Sequence, residues 1–261
     1  SSDLRFAPMT LNTLKNVNYD RILQIWKERF ANPGQFVYYF VGNFDESSLR
    51  PLIEKYIASL PKGKAETWKD VPSYVNGNVV NKFTRKSETP KAIAFEFWHA
   101  PMAYTLENEI LTSAAAQVLS MVYLKSIRED ASAAYSVSAG GSLRRLGNKS
   151  TAVIQAYCPM DPAKSDLALK LLAEGIKDNT VKMDADKVQK VKDFMLKDAE
   201  LAAKNNGHWM DILDEYVWTG VDFQTNYKKT VEAITPAKLA AYLKQILAAG
   251  NHAEVVMTPA K

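Results

Sequence analysis

Residues 18–43, NYDRILQIWKERFANPGQFVYYFVGN, contain the pattern that decides the fold. Ile22 and Trp26 lie one helical turn apart behind Asn18, a favoured N-cap residue, so this part predicts an amphipathic helix. After Asn-Pro-Gly, the run 35–41 is aromatic and β-branched, and it stops at Gly-Asn. Such a short apolar run predicts a buried strand. The unit is therefore a capped helix, a turn and a strand.

The same order of elements returns near the carboxyl terminus. Thr235 is a cap residue followed by Pro236 at the first helical position, and the chain closes on the alternating run 253–257. The two copies lie about one domain length apart. This spacing favours the tandem duplication of an α+β unit, although two helix–strand units can also match by chance.

The domain boundaries follow from this duplication and from a change in composition. Proline, glycine and polar residues interrupt every periodic pattern between Pro61 and Asn78. The sequence therefore predicts three parts: residues 1–61 as the carboxyl-terminal part of a preceding repeat, 62–78 as a linker, and 79–261 as a complete repeat.

The complete repeat has the element pattern of an α+β domain. Strands are expected at residues 79–83, 92–98, 134–139, 151–157 and 253–257. Gly140, Gly141 and Gly147 predict the turn between the third and fourth strands. Helices with apolar stripes are expected at residues 106–128, 162–178, 184–205, 209–218 and 236–249.

Composition excludes several classes of function. Thirty-three Lys and Arg against 29 Asp and Glu leave a formal net charge of +4, and both signs are interspersed along the helices, so no nucleic-acid surface is predicted. Cys158 is the single cysteine, which excludes an intrachain disulfide and a cysteine-based zinc site. No uncharged apolar run approaches the ~20 residues of a membrane-spanning helix, so no membrane span is predicted.

Two sets of residues resemble a known family. The stretches 19–32, 36–44 and 52–61 form one set, and Ile127-Arg-Glu-Asp leading to Ala134-Tyr-Ser-Val forms the other. They resemble the pitrilysin/insulinase (M16) family of zinc metallopeptidases, most of all its large bacterial members of the PqqL type. The resemblance implies a metallopeptidase-like (LuxS/M16) architecture of repeated α+β units, each an antiparallel-dominated sheet with helices packed against it. Two such halves would enclose a peptide in a chamber.

The zinc motif of that family is absent. Active members carry H-x-x-E-H on a helix, because two histidines on one face and a neighbouring glutamate bind the metal and activate water. None of His99, His208 and His252 has a second histidine at this spacing. His99 and His252 are expected as strand-end or surface residues, and His208 as a helix-start residue. We therefore predict no metal site and no cofactor in this chain, and the resemblance implies zinc in the amino-terminal half of a parent enzyme.

Arg128 and Tyr135 are the predicted substrate-binding residues. The resemblance implies that an arginine and a tyrosine at this junction reach across the chamber, where a guanidinium and a phenol can hold a substrate carbonyl and stabilise an oxyanion. The alternative is structural: Arg128 would pair with a helix-end carbonyl or with Glu129, and Tyr135 would pack as an ordinary strand residue.

The function expected from these observations is that of a non-catalytic, substrate-binding region of a larger zinc metalloendopeptidase. The chain alone is expected to be inactive. Its expected partners are a peptide substrate and the zinc-bearing amino-terminal half of the parent. The alternative is a catalytically inactive M16-fold structural or interaction protein, like the core subunits of respiratory complexes. The compartment stays open, although the resemblance allows a bacterial periplasm or cell envelope.

Overall fold

The chain forms a five-stranded β-sheet with helices, as the predicted α+β class requires. The computed structural model describes residues 7–64, 66, 67, 76–86, 88 and 90–260. The helices are α1 (Leu11–Lys15), α2 (Tyr19–Phe30), α3 (Glu46–Tyr56), α4 (Leu106–Tyr123), α5 (Ser165–Asn179), α6 (Ala185–Ala202), α7 (Asn206–Thr219), α8 (Tyr227–Glu232) and α9 (Pro236–Ala248). The strands are β1 (Asn78–Arg85), β2 (Ala92–Pro101), β3 (Ser138–Leu146), β4 (Lys149–Met160) and β5 (Asn251–Pro259).

The sheet has the strand order β1-β5-β2-β4-β3. The pairs β5–β2, β2–β4 and β4–β3 are antiparallel, whereas β1 runs parallel to β5, with Asn78 opposite His252. The sheet is therefore mixed, which corrects the expectation of an antiparallel-dominated sheet. The pair β1–β5 is parallel because β5 follows helix α9 in the chain. Two neighbouring strands can run in the same direction only when a crossover connection of this kind precedes the second strand.

Helices cover one face of this sheet. Along β2, Ala92, Ala94 and Glu96 are buried, whereas Phe95 between them is 39% exposed. Side chains alternate between the two faces of a strand, so the even-numbered residues of β2 face the core and the odd-numbered ones face away. Helix α4 packs on β3 and β4, and α9 packs on β2. The opposite face is open in part: Phe95 and Tyr157 are 39% and 37% exposed, whereas His99 and Val153 are buried.

The central helix α4 continues into a π-helical turn, Leu124–Asp130. Together they are long and apolar enough to cross a membrane by composition alone. Ile110, Val118 and Ile127 are nonetheless fully buried among the sheet and the other helices. The apolar character of this segment is accounted for by its place in the core.

The glycines expected to form a turn lie instead within β3. Gly140 and Gly141 pair with β4, and the turn occurs at Gly147, whose φ is +64°. Gly141 has a different role, because α4 passes very close to it. A Cβ atom at this position would lie 2.5 Å from the carbonyl oxygen of Thr112. The prediction of a turn at Gly140 and Gly141 is therefore wrong.

Two predicted strands also differ from the structure. The run 35–41 forms no strand, and none of the described strands lies beside it. A strand needs a neighbour for its backbone N–H and C=O groups, so an apolar sequence alone does not make one. The strand expected at 134–139 begins only at Ser138, and before it Ala134 makes a single isolated bridge to Met160.

The amino-terminal helices contrast with the rest of the described chain. Asn18 caps α2 as predicted, accepting a hydrogen bond from the backbone N–H of Arg21. However, none of the residues of α1, α2 and α3 is buried, and Trp26 is 55% exposed. Apart from Pro33, the buried apolar residues of the described chain lie between positions 92 and 256. Of the predicted linker 62–78, residues 65 and 68–75 lie outside the described residues.

Candidate functional site

Arg128 and Tyr135 lie together at the end of the central helix. The guanidinium carbon of Arg128 is 5.8 Å from the ring centroid of Tyr135, a distance typical of a cation–π contact. Tyr135 is 87% exposed, and Arg128 is exposed as well. Ile127, next to Arg128, is fully buried and anchors the π-helical turn. The structure thus brings the two sequence-predicted residues together and presents both to solvent.

The backbone between these two residues is fixed by hydrogen bonds. The Ala131 N–H donates to the Ser126 carbonyl at 3.2 Å, which closes the wide π-type turn. The Ala133 N–H donates to the Ile127 carbonyl at 2.8 Å. Ser132, between them, has a φ of +47°, in the left-handed region that non-glycine residues rarely adopt. The chain therefore reverses direction tightly between Arg128 and Tyr135.

A lysine from the next helical segment also holds this loop. The Lys164 Nζ donates to the carbonyl oxygens of Ala131 at 3.1 Å and Ser132 at 3.0 Å. A cation at this position satisfies carbonyl groups that the end of a helix leaves without partners. Sequence reasoning did not identify Lys164, because no local pattern links it to a loop about thirty residues earlier.

Arg128 and Tyr135 line one side of an open groove with a volume of about 880 Å³. It lies where β2 begins, where β4 ends and where the Tyr135 loop passes. Its other lining residues come from all three segments: Pro90, Lys91, Ile93, Ser132, Ala133, Ala134, Ser136, Tyr157, Pro159, Met160, Asp161 and Pro162. The groove is mostly apolar, with a few polar groups on its walls, as is usual for a binding site.

The donors of Arg128 and Tyr135 are available to a ligand. Within the described residues, no carboxylate lies within ion-pair distance of Arg128, and the Tyr135 hydroxyl makes no hydrogen bond. Glu129, the structural partner considered for Arg128, does not pair with it in this part of the chain. An arginine offers five N–H donors and a tyrosine one O–H donor. The arrangement can therefore hold carbonyl or carboxylate oxygens.

A second, smaller cavity of about 440 Å³ lies near the start of α4. Here the Tyr104 hydroxyl donates to Glu215 at 2.7 Å. Glu109 accepts a hydrogen bond from the Leu143 N–H at 3.2 Å, and burial raises the pKa of its carboxyl above its usual range. This cavity is separated from the Arg128 groove by the length of α4, about 27 Å for a helix of this size.

The three histidines lie on separate elements. His99 is buried near the end of β2, His252 is in β5, and His208 is near the start of α7, where it is hydrogen-bonded to Gln224 at 3.1 Å. Among the residues that the structure describes, no three His, Cys, Asp or Glu side chains converge as a metal site requires. The donor set of this part of the chain therefore does not fit a catalytic zinc.

The fold is similar to that of several solved proteases. The ferredoxin protease FusC, solved in complex with Arabidopsis ferredoxin, matches with a TM-score of 0.80 and 17% identity over 98% of this chain and 28% of FusC. The periplasmic protease PqqL from Escherichia coli matches with a TM-score of 0.66 and 20% identity over 84% of this chain and 25% of PqqL. This chain thus spans about a quarter of each of these two proteins. Among curated protein sequences, none matches it.

Two further comparisons concern the domain itself. A peptidase M16 inactive domain from Pseudomonas fluorescens has a TM-score of 0.70 and 15% identity, over 97% of this chain and 59% of that one. The family model described as "Peptidase M16 inactive domain" matches residues 16–195, which is more than half of the sequence. The predicted resemblance is thereby confirmed, and the chain belongs to the peptidase M16 inactive domain family.

Proposed function

We propose that this chain is a non-catalytic, substrate-binding region of a longer zinc metallopeptidase. The observation that carries the proposal is the pair of exposed donors, Arg128 and Tyr135, on the wall of a groove of about 880 Å³. Membership of a family of inactive M16 domains supports it, as does the fold shared with the proteases FusC and PqqL. In this proposal the zinc and the general base belong to another part of the parent protein.

The chemistry of the pair suits an extended peptide. Backbone carbonyl groups are acceptors, and the guanidinium and the phenol are donors that need no reorganisation before they bind one. Arg128 stacked on Tyr135 loses less side-chain freedom on binding than a free arginine would. If the bound carbonyl is the one attacked, the same donors stabilise its oxyanion. Arg128 and Tyr135 therefore act by holding substrate, while hydrolysis occurs at the zinc.

The proposed domain division also accounts for the amino-terminal helices. Residues 1–61 would be the carboxyl-terminal part of a preceding repeat, and 79–261 a complete one, with 62–78 as the linker. In support, α2 and α3 show exposed apolar side chains such as Phe30 and Tyr56, which are 53% and 61% exposed. Apolar side chains on one side of a helix usually pack against a sheet or a second helix. The rest of that preceding repeat, in the parent protein, would supply that partner.

The isolated chain provides the first test. We expect it to bind a mixture of short, blocked, unstructured peptides without cleaving them, and to hold no stoichiometric zinc after dialysis. Arg128→Met keeps the apolar stem but removes the charged donors, so it should weaken peptide binding by about tenfold, the effect of losing a charged hydrogen bond. Arg144→Met, on the exposed end of β3, is the matched control and should leave binding unchanged.

NMR titration measures binding, and mass spectrometry of the peptides together with metal analysis measures cleavage and zinc. Shifts confined to the Arg128 groove, lost in Arg128→Met, would support the proposal. One tightly held zinc per chain, or chelator-sensitive cleavage by the pure chain, would contradict the non-catalytic assignment. Absence of peptide binding would favour a structural or interaction role instead.

A further inference from the structure

The groove around Arg128 and Tyr135 has more free positive charge than negative charge. Lys91 and Arg128 line it, and neither has a carboxylate partner among the described residues. Lys164, close by, is already bound to two carbonyl groups of the loop. Asp161 is the one acidic residue of the lining, and one of its oxygens accepts the Ala163 N–H at 2.9 Å. A ligand entering the groove therefore meets two cations that have no carboxylate partner in the described part of the chain.

The floor of the groove continues onto the part of the sheet face that Phe95 and Tyr157 leave exposed. Ile93 of β2 pairs with Pro159 of β4, and Phe95 pairs with Tyr157. The rings of Phe95 and Tyr157 lie 4.9 Å apart and are 39% and 37% exposed. Lys91 immediately precedes β2, and alternation places residues 91, 93 and 95 on the same side of the strand. Lys91 and the aromatic rings of Phe95 and Tyr157 therefore lie one after the other along the direction of β2.

We infer that the groove selects extended peptide segments that carry an acidic side chain four positions from an aromatic or branched apolar one. This inference rests on the proposed peptide-binding function. In an extended peptide, side chains four positions apart point the same way and lie about 13 Å apart, which is also the spacing of Lys91 and Phe95 along β2. The acidic side chain lies at Lys91, the apolar one lies on Phe95 and Tyr157, and Arg128 with Tyr135 holds the backbone between them. Lys91 is thus the residue that determines charge preference.

Three blocked peptides of equal length test this inference, with Asp, Asn or Lys four positions before a Phe in an otherwise Gly-Ser sequence. At low salt the chain should bind the Asp peptide about three- to fivefold more tightly than the Asn peptide, the usual size of an exposed ion pair. Lys91→Met should bind these two equally, Lys91→Arg should restore the preference, and Lys91→Glu should favour the Lys peptide. Lys244→Met, on the exposed side of α9, is the matched control and should behave as wild type.

The outcomes distinguish the inferred charge preference from the proposed peptide-binding function. Equal binding of the Asp and Asn peptides by the wild-type chain overturns the charge preference while leaving peptide binding intact. A preference that persists in Lys91→Met overturns the assignment to Lys91. Failure of the wild-type chain to bind any of the three peptides overturns the proposed function and this inference with it.

Discussion

At the scale of single residues, a partly buried ionisable pair, together with Asn78, joins three strands. Glu96 of β2 is 2% exposed, and its carboxylate Oε2 lies 2.5 Å from the Nε2 of His252 in β5. The other ring nitrogen of His252 lies 3.1 Å from the Oδ1 of Asn78 in β1. Trp98 stacks on the His252 ring, with centroids 5.3 Å apart. Burial raises the pKa of Glu96, and the hydrogen bond from His252 opposes that rise.

The raised pKa of Glu96 makes the stability of the folded chain depend on pH. A carboxyl group whose pKa in the folded state exceeds its ordinary value of 4.5 binds its proton more tightly when folded. Its contribution to stability is therefore present at acid pH and is lost as the pH rises through the folded-state pKa. We expect Glu96→Gln to remove this dependence, which can reach about 1.4 kcal/mol per pH unit for one group.

Urea unfolding at a series of pH values above 4.5 measures the effect. The free energy of unfolding should fall more steeply with pH in the wild type than in Glu96→Gln. Glu200→Gln, an exposed change on α6, should give the wild-type profile. Parallel profiles for the wild type and Glu96→Gln would show that Glu96 does not titrate differently on folding.

Arg128 and Tyr135 could be singled out from the sequence because a family motif marks them and they lie seven positions apart. The structure places the two side chains close together, and their role in substrate binding stays a prediction. Sequence reasoning did not find Lys91 or Tyr157. These two residues reach the groove through the antiparallel register of β2 and β4, which no local pattern encodes. Basic residues just before a predicted strand were the available signal, but such residues are common in loops.

At the scale of elements, helices were predicted better than strands. Periodicity and caps located α4, α5, α6 and α9, because helical hydrogen bonds are local and an apolar stripe repeats within one segment. Strands depend on partners distant in sequence. The run 35–41 has the composition of a strand but no described partner, and the parallel position of β1 beside β5 could not be inferred from either strand alone.

The glycines of β3 were assigned to a turn because a glycine in a sequence can mark either a turn or a close contact. Gly141 permits the contact with α4, where an added Cβ would meet the Thr112 carbonyl oxygen at 2.5 Å. Gly141→Ala should therefore destabilise the chain by about 1–3 kcal/mol, the usual cost of overpacking. In Gly140→Ala the nearest atom is the flexible Gln155 side chain, at 3.3 Å, so the loss should be smaller.

Thermal and urea unfolding of the two glycine variants provide the comparison. The pair is well matched, since both positions lie in β3 and neither has a positive φ. A larger loss in Gly141→Ala identifies the α4–β3 contact as the constraint. Equal losses of stability in both variants would instead show that strand conformation alone causes the effect.

At the scale of the whole molecule, the chain has two contrasting regions. The region from β2 to β5 has one continuous hydrophobic core, whereas α2 and α3 leave Trp26 and Leu52 more than half exposed. Charge does not distinguish these regions, because both signs are spread along the sequence. The contrast supports the proposal that residues 1–61 complete a repeat whose other part lies elsewhere in the parent protein.

The central claim is that Arg128 and Tyr135 hold substrate for a zinc centre that this chain does not contain. Its most direct test is peptide-cleavage kinetics of the parent enzyme with Tyr135→Phe, alongside thermal unfolding. The change removes one hydroxyl and almost no packing area, and Tyr135 is exposed, so the melting temperature should stay nearly constant. If the hydroxyl stabilises the oxyanion, kcat/KM should fall about 10²- to 10³-fold. If it only positions the substrate, the loss should be smaller and shared between kcat and KM. Unchanged kcat/KM, or a large fall in melting temperature, would contradict the account.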